Sequence, residues 1–177
     1  FKNYLLCNTN NKKITGLNFQ NKLLLPTSGT TGSSKLVRLS KNNIMKNSLS
    51  IINNLKIKKN DTTITTMPMA YSYGLSIINT HLLKGSKIIL NKENISQKKF
   101  WIYFKKYKIN SFGGVPQFYE FLKRLDFQKF GLEYLKYVTQ AGGKLENDIK
   151  KYFLKLSETH KFKFYSMYGQ TEASPRI

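Results

Sequence analysis

Short apolar runs of strand length alternate along this chain with longer stretches that have the apolar period of an α-helix. The strand-like runs lie at 22–25, 36–39, 62–67, 87–90, 110–112, 137–140 and 163–167. Helical stretches follow most of them, at 40–55, 74–83, 96–107, 116–125 and 145–156. Because strands that alternate with helices form βαβ units, the pattern predicts an α/β fold, with a mostly parallel sheet and flanking helices.

Residues with special backbone preferences mark the ends of these elements. Ser40 and Ser96 are predicted helix N-caps, and Pro116 suits the first turn of the helix that it begins. Pro68 is expected to end the strand before it, and Gly85 is expected to end the helix at 74–83. These signals therefore agree with the boundaries that the apolar periods predict.

The apolar content of the chain is high enough to build a core. Hydrophobic residues make up 40% of the sequence and aromatic residues 14%, which excludes a wholly disordered chain. Phe100, Phe104 and Tyr107 fall on one helix face, with Trp101 beside it, and all four are predicted core residues. No apolar run approaches the roughly 18–20 residues needed to cross a bilayer, so we expect no membrane span.

Lysine dominates the charge of the chain. The sequence has 30 Lys and Arg against 9 Asp and Glu, a net charge of +21, which would suit nucleic acid, anionic lipid or a phosphorylated ligand. Lys, Asn and Ile are frequent throughout, however, and only Arg38, Arg124 and Arg176 could supply the guanidinium forks common at nucleic-acid surfaces. We therefore favour a composition bias and expect no specific nucleic-acid partner. A basic nucleic-acid-binding domain stays an alternative, which salt-dependent binding to random DNA without an effect of ATP would favour.

Cysteine and histidine are too few for a disulfide framework or a zinc site. Cys7 is the single cysteine, which fits a reducing, cytoplasmic setting. His81 lies among Leu and Ile in the middle of a helical stretch, where we expect a packed or surface histidine rather than a ligand. His160 lies in a polar segment and is expected to be exposed. The sequence therefore predicts no structural zinc.

A loop rich in glycine and hydroxyl groups is the segment most informative about function. Residues 25–35 read Leu-Pro-Thr-Ser-Gly-Thr-Thr-Gly-Ser-Ser-Lys and lie between two strand-like runs. Glycines let backbone N–H groups converge on a phosphate, hydroxyl groups donate to its oxygens, and Lys35 neutralises its charge. The loop is not a GxxxxGK[ST] P-loop, because Ser33 and Ser34 separate Gly32 from Lys35. A flexible linker is the other interpretation, but the apolar runs on both sides favour a phosphate site.

Residues 27–35 resemble the signature loop of the adenylate-forming superfamily, which includes acyl-CoA synthetases, peptide-synthetase adenylation domains and luciferases. Three further segments resemble superfamily motifs in the same order: Met-Pro-Met-Ala-Tyr-Ser-Tyr-Gly at 67–74, Gln-Ala-Gly-Gly-Lys-Leu at 140–145 and Tyr-Gly-Gln-Thr-Glu at 168–172. Gly-Val-Pro at 114–116 is a weaker match. The chain is identified as a member of this superfamily on these motifs. Residues 1–177 are expected to be a partial AMP-binding domain, central in the large N-terminal domain and incomplete at both ends.

The resemblance implies a reaction for the full-length parent protein. A small-molecule carboxylate attacks the α-phosphate of ATP in the presence of Mg²⁺ and gives an acyl-adenylate and pyrophosphate. The thiol of CoA, or of phosphopantetheine on an acyl carrier protein, is then the expected acceptor, with a slight preference for CoA. The chain starts at Phe1 and ends soon after Glu172, so we expect it to lack the small C-terminal domain with its catalytic lysine and to be inactive alone. A non-catalytic or decayed remnant is the alternative within the same family.

The resemblance also implies roles for individual residues. Glu172 would carry Mg²⁺, and Thr171 would donate to the α-phosphate. Tyr168 would pack near the adenine, and Gly142 and Gly143 would let the backbone pass close to the base and the acyl group. The β- and γ-phosphates would be held by the loop residues Thr27, Ser28, Gly29, Thr30, Thr31 and Gly32, which Lys35 would support.

Two positions depart from the superfamily pattern. Tyr71 stands where acyl-CoA synthetases commonly have a histidine whose ring gates the acyl channel. Tyrosine can fill that space but is not a cation near neutral pH, so a charge role does not carry over. Ser34 replaces the usual proline before the loop lysine. Tyr73, two residues after Tyr71, is open to either core packing or pocket lining.

Overall fold

The computed structural model describes residues 21–27, 36–173 and 176 of the 177-residue chain. In these ranges the strands are β1 (Asn21–Pro26), β2 (Leu36–Ser40), β3 (Thr62–Ile64), β4 (Lys87–Ile89), β5 (Ser111–Gly114), β6 (Tyr137–Gln140) and β7 (Lys163–Ser166). The α-helices are α1 (Lys41–Leu55), α2 (Ser72–Lys84), α3 (Lys98–Lys106), α4 (Pro116–Arg124) and α5 (Asn147–Thr159). Short 3₁₀ turns lie at Phe127–Phe130 and Thr171–Ala173.

A parallel sheet of order β4-β3-β5-β6-β7 forms the centre of the described structure. The residues of β5 lie opposite those of β6, and β6 lies opposite β7, in continuous parallel register. β1 and β2 form a separate antiparallel pair. The predicted α/β fold with a mostly parallel sheet is therefore confirmed. The strand order reverses at β3, with β4 on one side and β5 on the other, and such points in α/β sheets commonly bind ligands at the carboxyl ends of the strands.

Helices cover both faces of this sheet. α3, α4 and α5 contribute Phe100, Tyr119 and Phe153 to the larger apolar core, and all three side chains are fully buried. α1 and α2 contribute the smaller clusters on the other face, which include Ile51 and Ile77. The four aromatic residues predicted for the core belong to it, since Phe100, Trp101 and Phe104 are buried and Tyr107 packs against them. None of the helices within the described ranges is long and apolar enough to cross a membrane.

Most helix ends have the predicted chemistry, and one does not. Ser40 caps α1 with a capping box: its hydroxyl accepts from the Asn43 N–H at 3.1 Å, and the Asn43 side chain accepts from the Ser40 N–H at 3.1 Å. Gly85 ends α2 with φ 71°. The prediction that Ser96 caps α3 is wrong. The N–H and hydroxyl of Ser96 both donate to the Asn94 side chain, so Ser96 belongs to a turn that precedes the helix.

His81 is a buried, neutral histidine on α2. Its Nδ1 lies 2.8 Å from the carbonyl oxygen of Ile77, and its Nε2 lies 3.4 Å from the hydroxyl of Tyr137. We assign the proton to Nδ1, because a carbonyl oxygen only accepts, and Nε2 then accepts from Tyr137. Burial lowers the pKa of His81, and the bond to Ile77 opposes this in part. Of the two positions expected for His81, packed or surface, the structure shows the packed one.

The free energy of unfolding is expected to fall as the pH decreases from about 7.5 to about 5.5. In the unfolded chain His81 has its ordinary pKa of 6.5, whereas burial lowers the pKa of the folded ring. The unfolded chain therefore binds more protons in this pH range, and acid favours unfolding. We expect urea midpoints measured across this range to vary less for His81→Gln than for the unchanged protein. Leu154→Ala, at an exposed position of α5, is the control and should keep the full variation. An undiminished pH dependence in His81→Gln would contradict this assignment.

Candidate active site

The segments that resemble superfamily motifs meet at the carboxyl edge of the parallel sheet. Residues 65–74 follow β3 and enter α2, and residues 167–172 follow β7. Residues 114–116 and 140–145 extend from the ends of β5 and β6. Backbone hydrogen bonds join neighbouring segments. The Ala141 N–H donates to the Gly114 carbonyl at 3.2 Å, and the Met167 N–H donates to the Gln140 carbonyl at 2.7 Å. The Thr66 hydroxyl donates to the Gly113 carbonyl. Segments spread over about a hundred residues of sequence therefore form one surface.

The predicted phosphate loop connects the two strands of the β1–β2 hairpin. Of its candidate residues the structure describes Thr27, which is half-buried directly after β1. Pro26 and Leu36 are paired across the hairpin, so the loop starts and ends at one point. β2 also contacts the 3₁₀ turn at Thr171–Ala173, so the hairpin that carries the loop lies beside the predicted magnesium ligand. The other candidates lie outside the described residues: Ser28, Gly29, Thr30, Thr31, Gly32 and Lys35.

Gly142 and Gly143 form a tight turn after β6. Gly142 has φ 83°, and a Cβ placed on it would lie 3.2 Å from Val115 Cγ1. A Cβ on Gly143 would lie 3.2 Å from Pro116 Cγ. The turn therefore passes directly against the start of α4, and the roles predicted for the two glycines beside a base and an acyl group stay predictions.

Gln140 is a buried residue of this site that sequence reasoning missed. Its side chain is 1% exposed, and its Nε2 donates to the Gly143 carbonyl at 2.8 Å. Its Oε1 accepts from the Ser166 hydroxyl at 2.9 Å. Gln140 thus ties the glycine turn to the end of β7. A glutamine at the end of a strand in an apolar sheet is the signal that was available, because a buried amide requires partners.

Tyr71 and Tyr73 have different surroundings. Tyr71 is 62% exposed at the start of α2, whereas Tyr73 is 7% exposed and packs with Ile77 and Ala141. The Tyr73 hydroxyl lies 2.8 Å from both the carbonyl oxygen and Oγ1 of Thr139. Burial raises the pKa of Tyr73, so its hydroxyl keeps its proton and donates. Of the two interpretations left open for Tyr73, the structure shows core packing.

Gly74 fixes the position of the segment before α2. A Cβ placed on Gly74 would lie 2.2 Å from the carbonyl oxygen of Pro68. The Tyr71 N–H donates to the same carbonyl at 3.1 Å, and the Leu75 N–H donates to the Tyr71 carbonyl at 2.9 Å. The first turn of α2 therefore holds residues 68–71 in direct backbone contact. The strand predicted at 62–67 is shorter than expected, since β3 ends at Ile64.

Tyr168, Thr171 and Glu172 lie on the surface of the same edge. Tyr168 is 67% exposed, Thr171 is half-buried and Glu172 is exposed. Thr171 Oγ1 lies 3.3 Å from Ser72 Oγ at the start of α2. No ion pair engages Glu172 in the described part of the chain. Its carboxylate is therefore available to a cation.

The carboxylate of Glu172 is a chemically suitable ligand for a magnesium ion that also binds substrate phosphate. Within the described ranges no group of three or more His, Cys, Asp or Glu side chains could hold a metal. Mg²⁺ is commonly bound by one or two carboxylates, with the remaining positions taken by water and substrate phosphate oxygens. One free carboxylate beside the hairpin of the phosphate loop matches this arrangement.

A cavity of about 570 Å³ opens beside the carboxyl ends of β3 and β4. Its volume lies in the range of small-molecule sites, about 300–1,000 Å³. Met67 and Pro68, which begin the motif at 67–74, line it, and Phe100, Phe118 and Phe121 supply apolar wall. Sequence reasoning did not find these phenylalanines as cavity residues, because their spacing is also that of core-facing helix positions.

Comparison with known proteins agrees with this architecture. Residues 20–177 match the family model described as AMP-binding enzyme. The chain is 35% identical over 96 residues to an oxalate–CoA ligase of Saccharomyces cerevisiae, which covers 53% of this chain and 17% of the relative. It is also 29% identical over 151 residues to a probable 4-coumarate–CoA ligase of Dictyostelium discoideum. This matched region covers 84% of this chain and 27% of the relative.

A solved structure shares the fold. The o-succinylbenzoate coenzyme A synthetase of Bacillus subtilis, solved in complex with ATP and magnesium ion, has a TM-score of 0.73 and 22% identity over 87% of this chain and 31% of its own. The chain thus spans roughly a quarter of the length of the relatives that match most of it. With its matched residues extending over nearly the whole sequence, the chain belongs to the family of AMP-binding enzymes.

Proposed function

We propose that the chain is the central part of the large domain of a longer protein that activates a small-molecule carboxylate with ATP. The products of this step are an acyl-adenylate and pyrophosphate. The observation that carries the proposal is the convergence of segments 67–74, 140–145 and 168–172 on one edge of the sheet, beside the hairpin of the phosphate loop. Membership of the AMP-binding enzyme family supports it.

The chemistry requires two anions to approach each other, a carboxylate and a triphosphate. Positioning and electrostatic stabilisation therefore supply most of the catalysis. In our proposal Thr171 donates to the α-phosphate and Glu172 holds Mg²⁺. When bound, Mg²⁺ neutralises phosphate charge. The loop residues Thr27 to Lys35 hold the β- and γ-phosphates by backbone N–H groups and hydroxyls.

The surroundings of the other candidates suit the remaining parts of the substrates. The exposed ring of Tyr168 is available to stack on the adenine. In our proposal the backbone of the turn at Gly142 and Gly143 passes beside the base and the acyl group. Tyr71, exposed at the start of α2, can border the acyl channel as a neutral ring. The cavity beside Met67 and Pro68 offers an apolar wall for the organic part of a substrate.

We propose a thiol as the acceptor of the acyl group in a second step, giving a thioester. CoA is preferred over carrier-protein phosphopantetheine, because the curated relatives compared above are named CoA ligases.

Exchange of pyrophosphate into ATP by the full-length protein tests the proposed function. We expect exchange with one class of acid in a panel of carboxylates, and none when Mg²⁺ or the acid is omitted. Residues 1–177 alone, assayed in parallel, are expected to give no exchange. A folded full-length protein that neither binds ATP nor exchanges pyrophosphate with any acid would instead support the decayed remnant.

A further inference from the structure

Ser72 and Thr171 form a contact across the carboxyl edge of the sheet that no predicted role explains. Ser72 is the first residue of α2 and follows β3, whereas Thr171 lies in the 3₁₀ turn after β7. The two hydroxyl oxygens are 3.3 Å apart, although the residues are 99 positions apart in sequence. β5 and β6 lie between the strands that precede them. The contact therefore bridges two ends of the candidate site.

The direction of this hydrogen bond follows from the role proposed for Thr171. A hydroxyl group has one hydrogen to donate and two lone pairs that accept. If Thr171 donates its hydrogen to an α-phosphate oxygen, it has none left for Ser72 and can only accept from it. Ser72 must then be the donor. We propose that Ser72 is a positioning residue, whose hydroxyl donates to Thr171 Oγ1 and directs the Thr171 hydrogen toward the phosphate; this rests on the proposed function.

Ser72 is held firmly enough for this task. Its neighbour Tyr73 is buried, with its hydroxyl fixed by Thr139, and Gly74 is in contact with the Pro68 carbonyl. Thr171, by contrast, lies in a half-exposed turn at the surface. Within the described residues, each of the two hydroxyls has the other as its hydrogen-bond partner. The contact thus gives the Thr171 hydroxyl a partner whose position is set by α2.

Steady-state exchange kinetics of the full-length protein test this inference. We expect Ser72→Ala to lower kcat and kcat/KM together by about 10-fold, with KM for ATP close to that of the unchanged protein, because the interaction acts on orientation in the transition state. Ser72→Thr keeps the hydroxyl and should restore most of the rate. In a Thr171→Val background, Ser72→Ala should have no further effect. Ser50→Ala, an exposed serine of α1, is the matched control and should leave the rate unchanged.

The possible failures are distinguishable. Exchange by the unchanged protein together with equal exchange by Ser72→Ala overturns the positioning role and leaves the proposed function standing. The positioning role is also overturned if Ser72→Ala lowers the melting temperature enough to explain the lost rate and Ser72→Thr does not restore that rate. The serine would then be only structural. Absence of exchange by a folded, unchanged protein overturns both, since the role depends on the reaction.

Discussion

Replacing Glu172 by glutamine is expected to reduce ATP–pyrophosphate exchange by the full-length protein at least about 100-fold. Glu172 is exposed, and its carboxylate has no ion-pair partner among the described residues. Glutamine keeps the size of the side chain but removes the charge that would hold Mg²⁺ beside the phosphates. The measurement is exchange at saturating ATP over a titration of Mg²⁺, in which the variant should also require more metal.

Glu158→Gln is the control for this prediction. Glu158 is an exposed glutamate near the end of α5, away from the carboxyl edge of the sheet, and its replacement should leave exchange unchanged. Exchange by Glu172→Gln near the rate of the unchanged protein, with an unchanged requirement for Mg²⁺, would remove Glu172 from the proposed metal site.

Replacing Phe153 by alanine is expected to lower the free energy of unfolding by about 3–5 kcal/mol. Phe153 is 0% exposed on α5, and its ring centroid lies 4.9 Å from that of Tyr119, 5.6 Å from Phe164 and 6.0 Å from Phe127. Truncation removes these contacts and leaves a cavity between two helices and the sheet. The midpoint and slope of urea unfolding of the full-length protein measure the effect.

Leu154→Ala is the matched control, one residue along the same helix. Leu154 is 42% exposed, so its truncation should change the free energy of unfolding by no more than about 0.5 kcal/mol. Equal losses in the two variants would show that the larger core does not depend on Phe153.

Periodicity was sufficient to predict the fold class, because helix and strand periods are local properties. The strand predicted at 137–140 has the same bounds as β6, and the helix capped by Ser40 begins where expected. The strand predicted at 62–67 was too long, since β3 ends at Ile64. The error at Ser96 arose because its side chain had two possible roles. Ser96 could cap a helix or join a turn, and Asn94 decided for the turn.

The candidate site was predictable only as separate segments. Each motif is short and contiguous, so it can be recognised in a single sequence. Whether the motifs come together at the carboxyl edge of the sheet depends on the strand order, which the sequence does not display. Gln140, Ser72 and Phe118 were missed as site residues because their partners are distant in sequence or in another element. Tyr73 could not be assigned, since an aromatic residue at that spacing suits a core as well as a pocket. The roles of all the candidate site residues stay predictions, and residues 28–35 lie outside the described structure.

The separation of 99 residues between Ser72 and Thr171 determines when the site can form during synthesis. β3 and α2 leave the ribosome well before the turn that carries Thr171 and Glu172, because that turn follows β7. Closing so long a loop is entropically costly, and pairing of the intervening strands offsets that cost. Under the proposed function, a nascent chain halted before β7 therefore gains no metal-binding carboxylate. Nucleotide binding would then report that β7 and the turn after it have been added.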